Sequence, residues 1–339
     1  MLTERRAQVL RLIVADYIDS ATPIGSEQIV RRHRLELSPA TIRNEMARLE
    51  EDGFISHPHT SAGRVPSDLG YRYYVEMLMG EPNVSTDEQR RILHQFHQST
   101  AELSEWLQLA ASVLAQSLRN LAVVSGPRST QSRLKHLELV SLHDFSALLV
   151  VVLPEVKVRQ QVLVLREAAT QDDLGRLSRK LNHQLAGLTG QQIVAAAADM
   201  PALDEHVART VGEIVQNEDV DDFPDPHLEG LRNVLSQPEF ARSERMLDML
   251  EALDERNIGK TIPQTEVRDD DVVVIIGSEN RDDVMRECSL VIGRYGGGSD
   301  GPAGTIAVIG PTRLPYARAI ATVRYVGSLM GQLLEKQYE

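Results

Sequence analysis

The chain has 339 residues, a formal net charge of -13, 42% hydrophobic and 25% charged residues, and one cysteine, Cys288. Two or three domains are expected at this length, and a lone cysteine excludes an intrachain disulfide and suits a plain buried thiol in a reducing compartment. No apolar run approaches the ~18 residues of a membrane span, and Arg5 and Arg6 precede amphipathic rather than uniformly apolar sequence, so neither a membrane helix nor a signal peptide is expected and the chain reads as cytoplasmic.

Between Thr3 and Asp19, Val9, Leu10, Leu12, Ile13, Tyr17 and Ile18 share one broad helical face. Thr22-Pro23 breaks this helix, and a second short one runs from Glu27 to Arg34, with Ile29 and Val30 inward and Arg31, Arg32 and Arg34 outward. After Leu35-Glu36-Leu37 comes a third helix with its own boundaries. Ser38 can accept hydrogen bonds from free N–H groups, Pro39 suits the first helical position and Gly53 supplies a left-handed stop. Ile42, Met46 and Leu49 form its apolar stripe; Ala40, Asn44, Ala47 and Glu51 point the other way, flanked by Thr41, Arg43 and Arg48. Three short helices with a tight turn before the third make a helix-turn-helix. The outer face of the third lacks bulk, carries one amide able to pair with adenine and has guanidiniums able to meet guanine or phosphate, as a recognition helix requires.

Phe54-Ile55 and Arg64-Val65 read as two short strands of a wing closed by a polar loop, placing His59, Thr60, Ser61 and Arg64 beside the DNA backbone or a minor groove. His57 and His59 flank Pro58 with no further ligand nearby, so a metal site is not expected. Residues 1 to 80 hold ten arginines and no lysine against eleven carboxylates, a net of -1, and the other residues carry about -12 of the total. A reader attached to so acidic a body gains little from bulk charge, and base contacts have to supply its selectivity.

Residues 67 to 80 form a helix, and Gly80-Glu81-Pro82-Asn83 a linker. Ser85 with Glu88, and Ser99 with Glu102, make capping boxes for helices to about His97 and Asn120. In the latter, Leu103, Leu107, Ala110, Leu114, Ser117 and Leu121 form a heptad-like seam, readable as a packed core helix or a self-association face. Gly126-Pro127 ends the helical region. His136 to Leu142, Phe145 to Leu153 and Val156 to Leu165 read as an antiparallel meander turning at His143-Asp144 and Pro154-Glu155, its central strand apolar enough to be buried on both sides. Helices are expected at 171–185, 204–216, 227–235 and 239–253, with an acidic loop at 218–222. Strands then resume at 272–276, 289–294 and 305–309, before a last helix from Tyr316 to about Lys336. Strands split by a helical block read as one α+β domain interrupted by another.

The strings P-I-G-S-E, S-P-A-T-I-R-N-E-M, L-E-E-D-G-F-I, P-H-T-S-A-G-R-V-P and G-Y-R-Y-Y-V between Asp16 and Met79 resemble the HrcA family of heat-inducible transcription repressors. So do I-G-S-E-N from Ile276, C-S-L-V-I from Cys288 and G-T-I-A-V-I-G-P-T-R-L-P-Y from Gly304 to Tyr316, with Leu314-Pro315 departing from the family's Met-Asp. The resemblance implies a winged helix-turn-helix DNA-binding domain over 1–80 and a discontinuous GAF-like α+β domain over 81–169 and 263–339. A mostly helical dimerising domain would be inserted at 170–262. It further implies a homodimer on double-stranded DNA at an inverted-repeat operator upstream of chaperonin and chaperone operons, with repression relieved on heat stress and the chaperonin GroEL assisting the repressor. Ser38, Thr41, Arg43, Asn44 and Arg48 would then work in the groove, and His59, Ser61 and Arg64 at the wing.

Catalytic signatures are wanting. Ile258-Gly259-Lys260-Thr261 ends like a phosphate-binding loop, but Asp254 stands where that motif needs glycine. The glycine-rich Tyr295 to Gly304 lies between strands, whereas phosphate cradles use a helix N-terminus. No enzyme, cofactor or metal is expected. The competing functional reading is a metabolite-sensing winged-helix regulator with a ligand pocket in the GAF-like domain.

Overall fold

The computed structural model describes the chain apart from residues 1, 59–62, 99–101, 128–131, 154–157, 199, 222–225, 241–250, 252, 254–257, 263–270, 298–301 and 339. It divides into two compact units, Met1–Arg128 with Phe223–Glu339, and Ser129–Asp222.

The larger unit begins with α1 (Glu4–Ser20), α2 (Ser26–His33) and α3 (Pro39–Glu51). They pack through Val9, Leu10 and Ile13 of α1, Ile29 of α2 and Ile42, Met46 and Leu49 of α3. A two-stranded hairpin follows, β1 (Ile55–Ser56) with β2 (Val65–Pro66), in the register Ile55↔Pro66 and Ser56↔Val65. The helix expected over 67–80 is α4 (Asp68–Tyr73), capped by Ser67, continuing as a wider π-helical turn to Leu78. Then come α5 (Thr86–Gln98) and α6 (Leu103–Leu118). Ser85 caps α5 as expected, with its Oγ accepting from Glu88 N at 3.3 Å. The second expected cap, Ser99, lies outside the described residues. α6 buries Trp106, Leu107, Ala110, Leu114 and Leu118, so most of the heptad-like seam is core. Leu121 is not part of that helix: β3 (Leu121–Val124) starts there, where the sequence suggested continuous helix.

β3 joins β7 (His227–Glu229), β8 (Val272–Ile276), β9 (Cys288–Gly296) and β10 (Ala303–Pro311) in an antiparallel sheet of order β7-β3-β10-β9-β8. Both faces are covered. Ala122, Val124, Val291, Ile306 and Val308 face the core shared with α6 and the C-terminal helix, while Leu121, Val123, Leu290, Ile292, Ala307 and Ile309 face a second core with Val234 and Phe240. Double burial explains why these strands are almost uninterrupted apolar runs. The expected helix over 227–235 is instead β7 followed by α10 (Leu231–Leu235), because His227, Leu228 and Glu229 pair with β3. Of the expected helix over 239–253, residues 241–250 lie outside the described residues. The chain closes with α11 (Tyr316–Tyr338).

In the smaller unit, β4 (His136–His143), β5 (Ser146–Val152) and β6 (Val158–Val164) form the expected meander. Its inner face packs Leu137, Leu139, Ala147, Leu149, Val151 and Leu163 against α7 (Gln171–Leu185), α8 (Gly190–Ala197) and α9 (Ala202–Asp221). α9 continues to Asp221, into the stretch expected as an acidic loop, and α8 was not foreseen. Side chains of α7 finish the outer edge of β4. Asn182 Oδ1 accepts from Leu137 N at 2.8 Å, and Ser178 Oγ accepts from Leu139 N at 3.0 Å. β5 is central but not buried on both sides, since Ser146, Leu148, Val150 and Val152 are only half-buried. The meander thus shares a core with the helices that follow it, and the compact unit starts near 129 rather than at the expected 170.

No described helix is long and apolar enough to cross a membrane.

Candidate nucleic-acid interface

The turn between α2 and α3 is built from unusual backbone. Arg34 takes a left-handed conformation (φ 50°) to end α2, its N–H reaching the carbonyl of Val30, and Leu35 to Leu37 lead into the cap of α3. Ser38 Oγ accepts from Thr41 N at 3.1 Å and lies 2.9 Å from Thr41 Oγ1. Pro39 occupies the first turn, and Gly53 adopts φ 81° just past the helix, as expected from the sequence. Ile42, Met46 and Leu49 are buried, which leaves Ala40, Arg43, Asn44, Ala47, Arg48 and Glu51 exposed and Thr41 half-buried.

Charge on α3 is sorted by side. Glu45, near the α1 side, is paired with Arg6 (3.4 Å), which also reaches Asp52 (3.1 Å). Arg43, Asn44 and Arg48 make no side-chain hydrogen bond or ion pair among the described residues. The exposed face therefore holds two unpaired guanidiniums and one free amide around two alanines. Arg31 and Arg34 of α2 are likewise exposed and unpaired among the described residues, whereas Arg32 is held by Asp19 at 2.9 Å and Asp16 at 3.3 Å. The sequence marks Arg31 and Arg34 only as outward-facing; their freedom from partners emerges with the positions of the surrounding carboxylates. Asp16 is itself buried in α1 and lies 3.0 Å from His33 Nε2, tying α1 to α2.

The hairpin is fixed to this framework at its base. Ile24 N donates to Arg64 O at 2.8 Å and Arg64 N to Ile24 O at 2.9 Å. Gly63 lies so close to Ile24 that a Cβ there would fall 2.5 Å from its carbonyl, so only glycine fits. Arg64 Nη2 reaches Glu50 at 2.9 Å, and His57 Nδ1 contacts the other oxygen of the same carboxylate. Ser38, Thr41, Arg43, Asn44 and Arg48 thus lie along α3, and Arg64 is held at its C-terminal end. His59 and Ser61 lie outside the described residues. The sequence marks His57 only as a metal candidate set aside and Glu50 only as part of the string L-E-E-D-G-F-I, since their pairing depends on the hairpin folding back to the helix.

Residues 104–320 match the family model described as the HrcA protein C-terminal domain. A heat-inducible transcription repressor HrcA of Roseiflexus castenholzii is 44% identical, over 99% of this chain and 96% of that protein. Another of Chloroflexus aggregans is 43% identical, over 99% of this chain and 94% of its own length. Among solved structures, a crystal structure described as that of a hypothetical protein superposes with a TM-score of 0.58 at 22% identity, covering 99% of this chain and 98% of that one, a likeness of fold.

Proposed function

The chain belongs to the HrcA family of heat-inducible transcription repressors, regulators rather than enzymes, and from that premise we propose that it acts as a homodimer on an inverted-repeat operator. The observation that carries this reading is the uncommitted outer face of α3: Arg43, Asn44 and Arg48 are exposed and, among the described residues, unpaired beside Ala40 and Ala47. Asn44 is assigned to a base edge and Arg43 to a base or phosphate, with Ser38, Thr41 and Arg48 beside them. Arg64, His59 and Ser61 work at the wing. A body carrying nearly all of the -13 net charge lowers affinity for DNA at large, so discrimination falls to these few side chains, presented twice by a dimer.

Self-association is supported by the outer face of the β4-β5-β6 sheet. Val140, Val158, Val162 and Val164 are 41–75% exposed there, with half-buried Leu148, Val150 and Val152 between them. Of its described titratable side chains, Glu138, His136 and His143, the first two lie 3.4 Å apart. For a chain this acidic, a largely apolar face is where a second copy meets least repulsion. In this proposal Ser129–Asp222 is the dimerising insertion, and the five-stranded sheet with its helices is the GAF-like body. The operator is the inverted repeat upstream of chaperonin and chaperone operons, and the chaperonin GroEL assists the active fold.

A gel shift with a duplex carrying that repeat, against a scrambled duplex, with and without chaperonin, tests the reading. The expected result is a retarded complex on the repeat, increased by chaperonin. Equal retention of both duplexes would overturn it.

A further inference from the structure

We propose that Glu50 is a positioning residue for DNA recognition: it fixes the hairpin against the recognition helix by holding Arg64 and His57 together. The proposal rests on the DNA-binding reading above. Glu50 lies in the last turn of α3 with its side chain 28% exposed, and Arg64's is 18% exposed. One carboxylate oxygen receives Arg64 Nη2 at 2.9 Å, and the other meets His57 Nδ1. His57 directly follows β1 and Arg64 directly precedes β2, so one side chain of the helix grips both arms of the hairpin. The backbone of Arg64 is meanwhile bridged to Ile24, ahead of α2. Arg64 is therefore the point where the loop before α2, the recognition helix and the hairpin meet.

Charge alone assigns Glu50 the opposite role. A carboxylate on a helix that approaches phosphates repels them, and removing it should strengthen binding to any duplex. The geometry predicts that removing it weakens binding to the right one, because the hairpin and Arg64 lose their fixed relation to α3. The two accounts differ in sign, which makes the position diagnostic.

The test uses the full chain with Glu50→Gln and with Glu50→Asp. Fluorescence anisotropy would follow binding to a labelled duplex carrying the inverted repeat and to a scrambled duplex of equal length. E50Q is expected to bind the repeat about tenfold more weakly, the scale of one lost charged hydrogen bond, while binding the scrambled duplex no more weakly than the unsubstituted chain. E50D keeps the charge but draws the carboxylate back by one methylene, so that it no longer spans Arg64 and His57, and it is expected to weaken binding to the repeat as E50Q does, whereas charge alone predicts no change. E50Q binding the repeat as tightly as the unsubstituted chain overturns the proposal, as does a folded E50D that does so. If E50Q does not fold, E50D decides by the same criterion. An unsubstituted chain that fails to prefer the repeat overturns the DNA-binding reading itself, and this proposal with it.

Discussion

Arg72 Nη2 donates to the carbonyl oxygen of Val274 at 2.7 Å, across 202 positions of sequence. The bond joins α4, which follows the hairpin, to the edge strand β8 of the five-stranded sheet. It is reinforced on both sides: Arg72 Nε reaches Glu279 Oε1 at 2.8 Å, and Asp68 Oδ2 accepts from Ser278 N at 2.8 Å. Gly277 turns beneath Asp68 at φ 52°, and a Cβ there would sit 2.3 Å from the carboxylate. Arg72→Ala should therefore destabilise the larger unit by about 1–2 kcal/mol, less than a fully buried charged bond because the guanidinium is partly solvated. Trp106, the sole tryptophan, is buried in that core and reports its unfolding in denaturant. A cycle with Glu279→Gln isolates the pair; additive effects of the two substitutions would show that the ion pair contributes nothing of its own.

Asn44 has no side-chain partner among the described residues. Asn44→Ala should leave folding unchanged and cost about 1–3 kcal/mol on the inverted repeat, with little change on scrambled DNA. Equal weakening on both duplexes, measured by anisotropy at one salt concentration, would remove Asn44 as a base reader.

The helix α3 was legible in the sequence because everything that bounds it is local: the Ser38 cap, Pro39, the Ile42-Met46-Leu49 stripe and Gly53 lie within one short segment. What was illegible depends on pairing at long range. Leu121 to Val124 continues a helical apolar rhythm and becomes a strand only because β7 and β10 flank it. His227 to Glu229 is three residues of unremarkable composition whose conformation is set by β3. The apolar run of β5 suggested burial on both faces, yet Leu148 and Val150 belong to an open face, since apolarity marks a surface for covering without saying what covers it. Arg64 could be named as a wing residue, but its bond to Glu50 could not.

Burial sets an alkaline limit on stability. The hydroxyls of Tyr71 and Tyr316 and the thiol of Cys288 are all held above their ordinary ranges by desolvation, Cys288 to about 12. The unfolded chain releases these protons near pH 9–10 while the folded chain retains them, so stability is full below about pH 9 and falls as pH rises through the interval up to the shifted values. The urea midpoint should drop between pH 8 and pH 10.5; a flat profile would contradict the assignment. Tyr71 Oη is also buried without a partner among the described residues. Tyr71→Phe removes that unsatisfied group and should stabilise the larger unit by about 1 kcal/mol while flattening the alkaline loss.

The dimer proposal can be placed on one row of side chains. Val140 pairs with Leu148 and Leu148 with Val162, so the three lie abreast on the outer face of the sheet. Val162 is 58% exposed, and a charge there is solvated in the single chain and costs its fold little. In a two-fold contact the same carboxylate is stripped of water against Val140 and Leu148 of an equally acidic copy, and the described strand residues of that face offer no lysine or arginine to receive it. Val162→Glu should therefore sediment as a monomer and lose operator affinity steeply, since one half-site then has to hold the protein alone. Val284→Glu, at an exposed apolar position of the other unit, serves as the control and should leave both properties intact. A Val162→Glu chain that still sediments as a dimer would move the interface off this face, and with it the argument that the sheet is left apolar to meet its own copy.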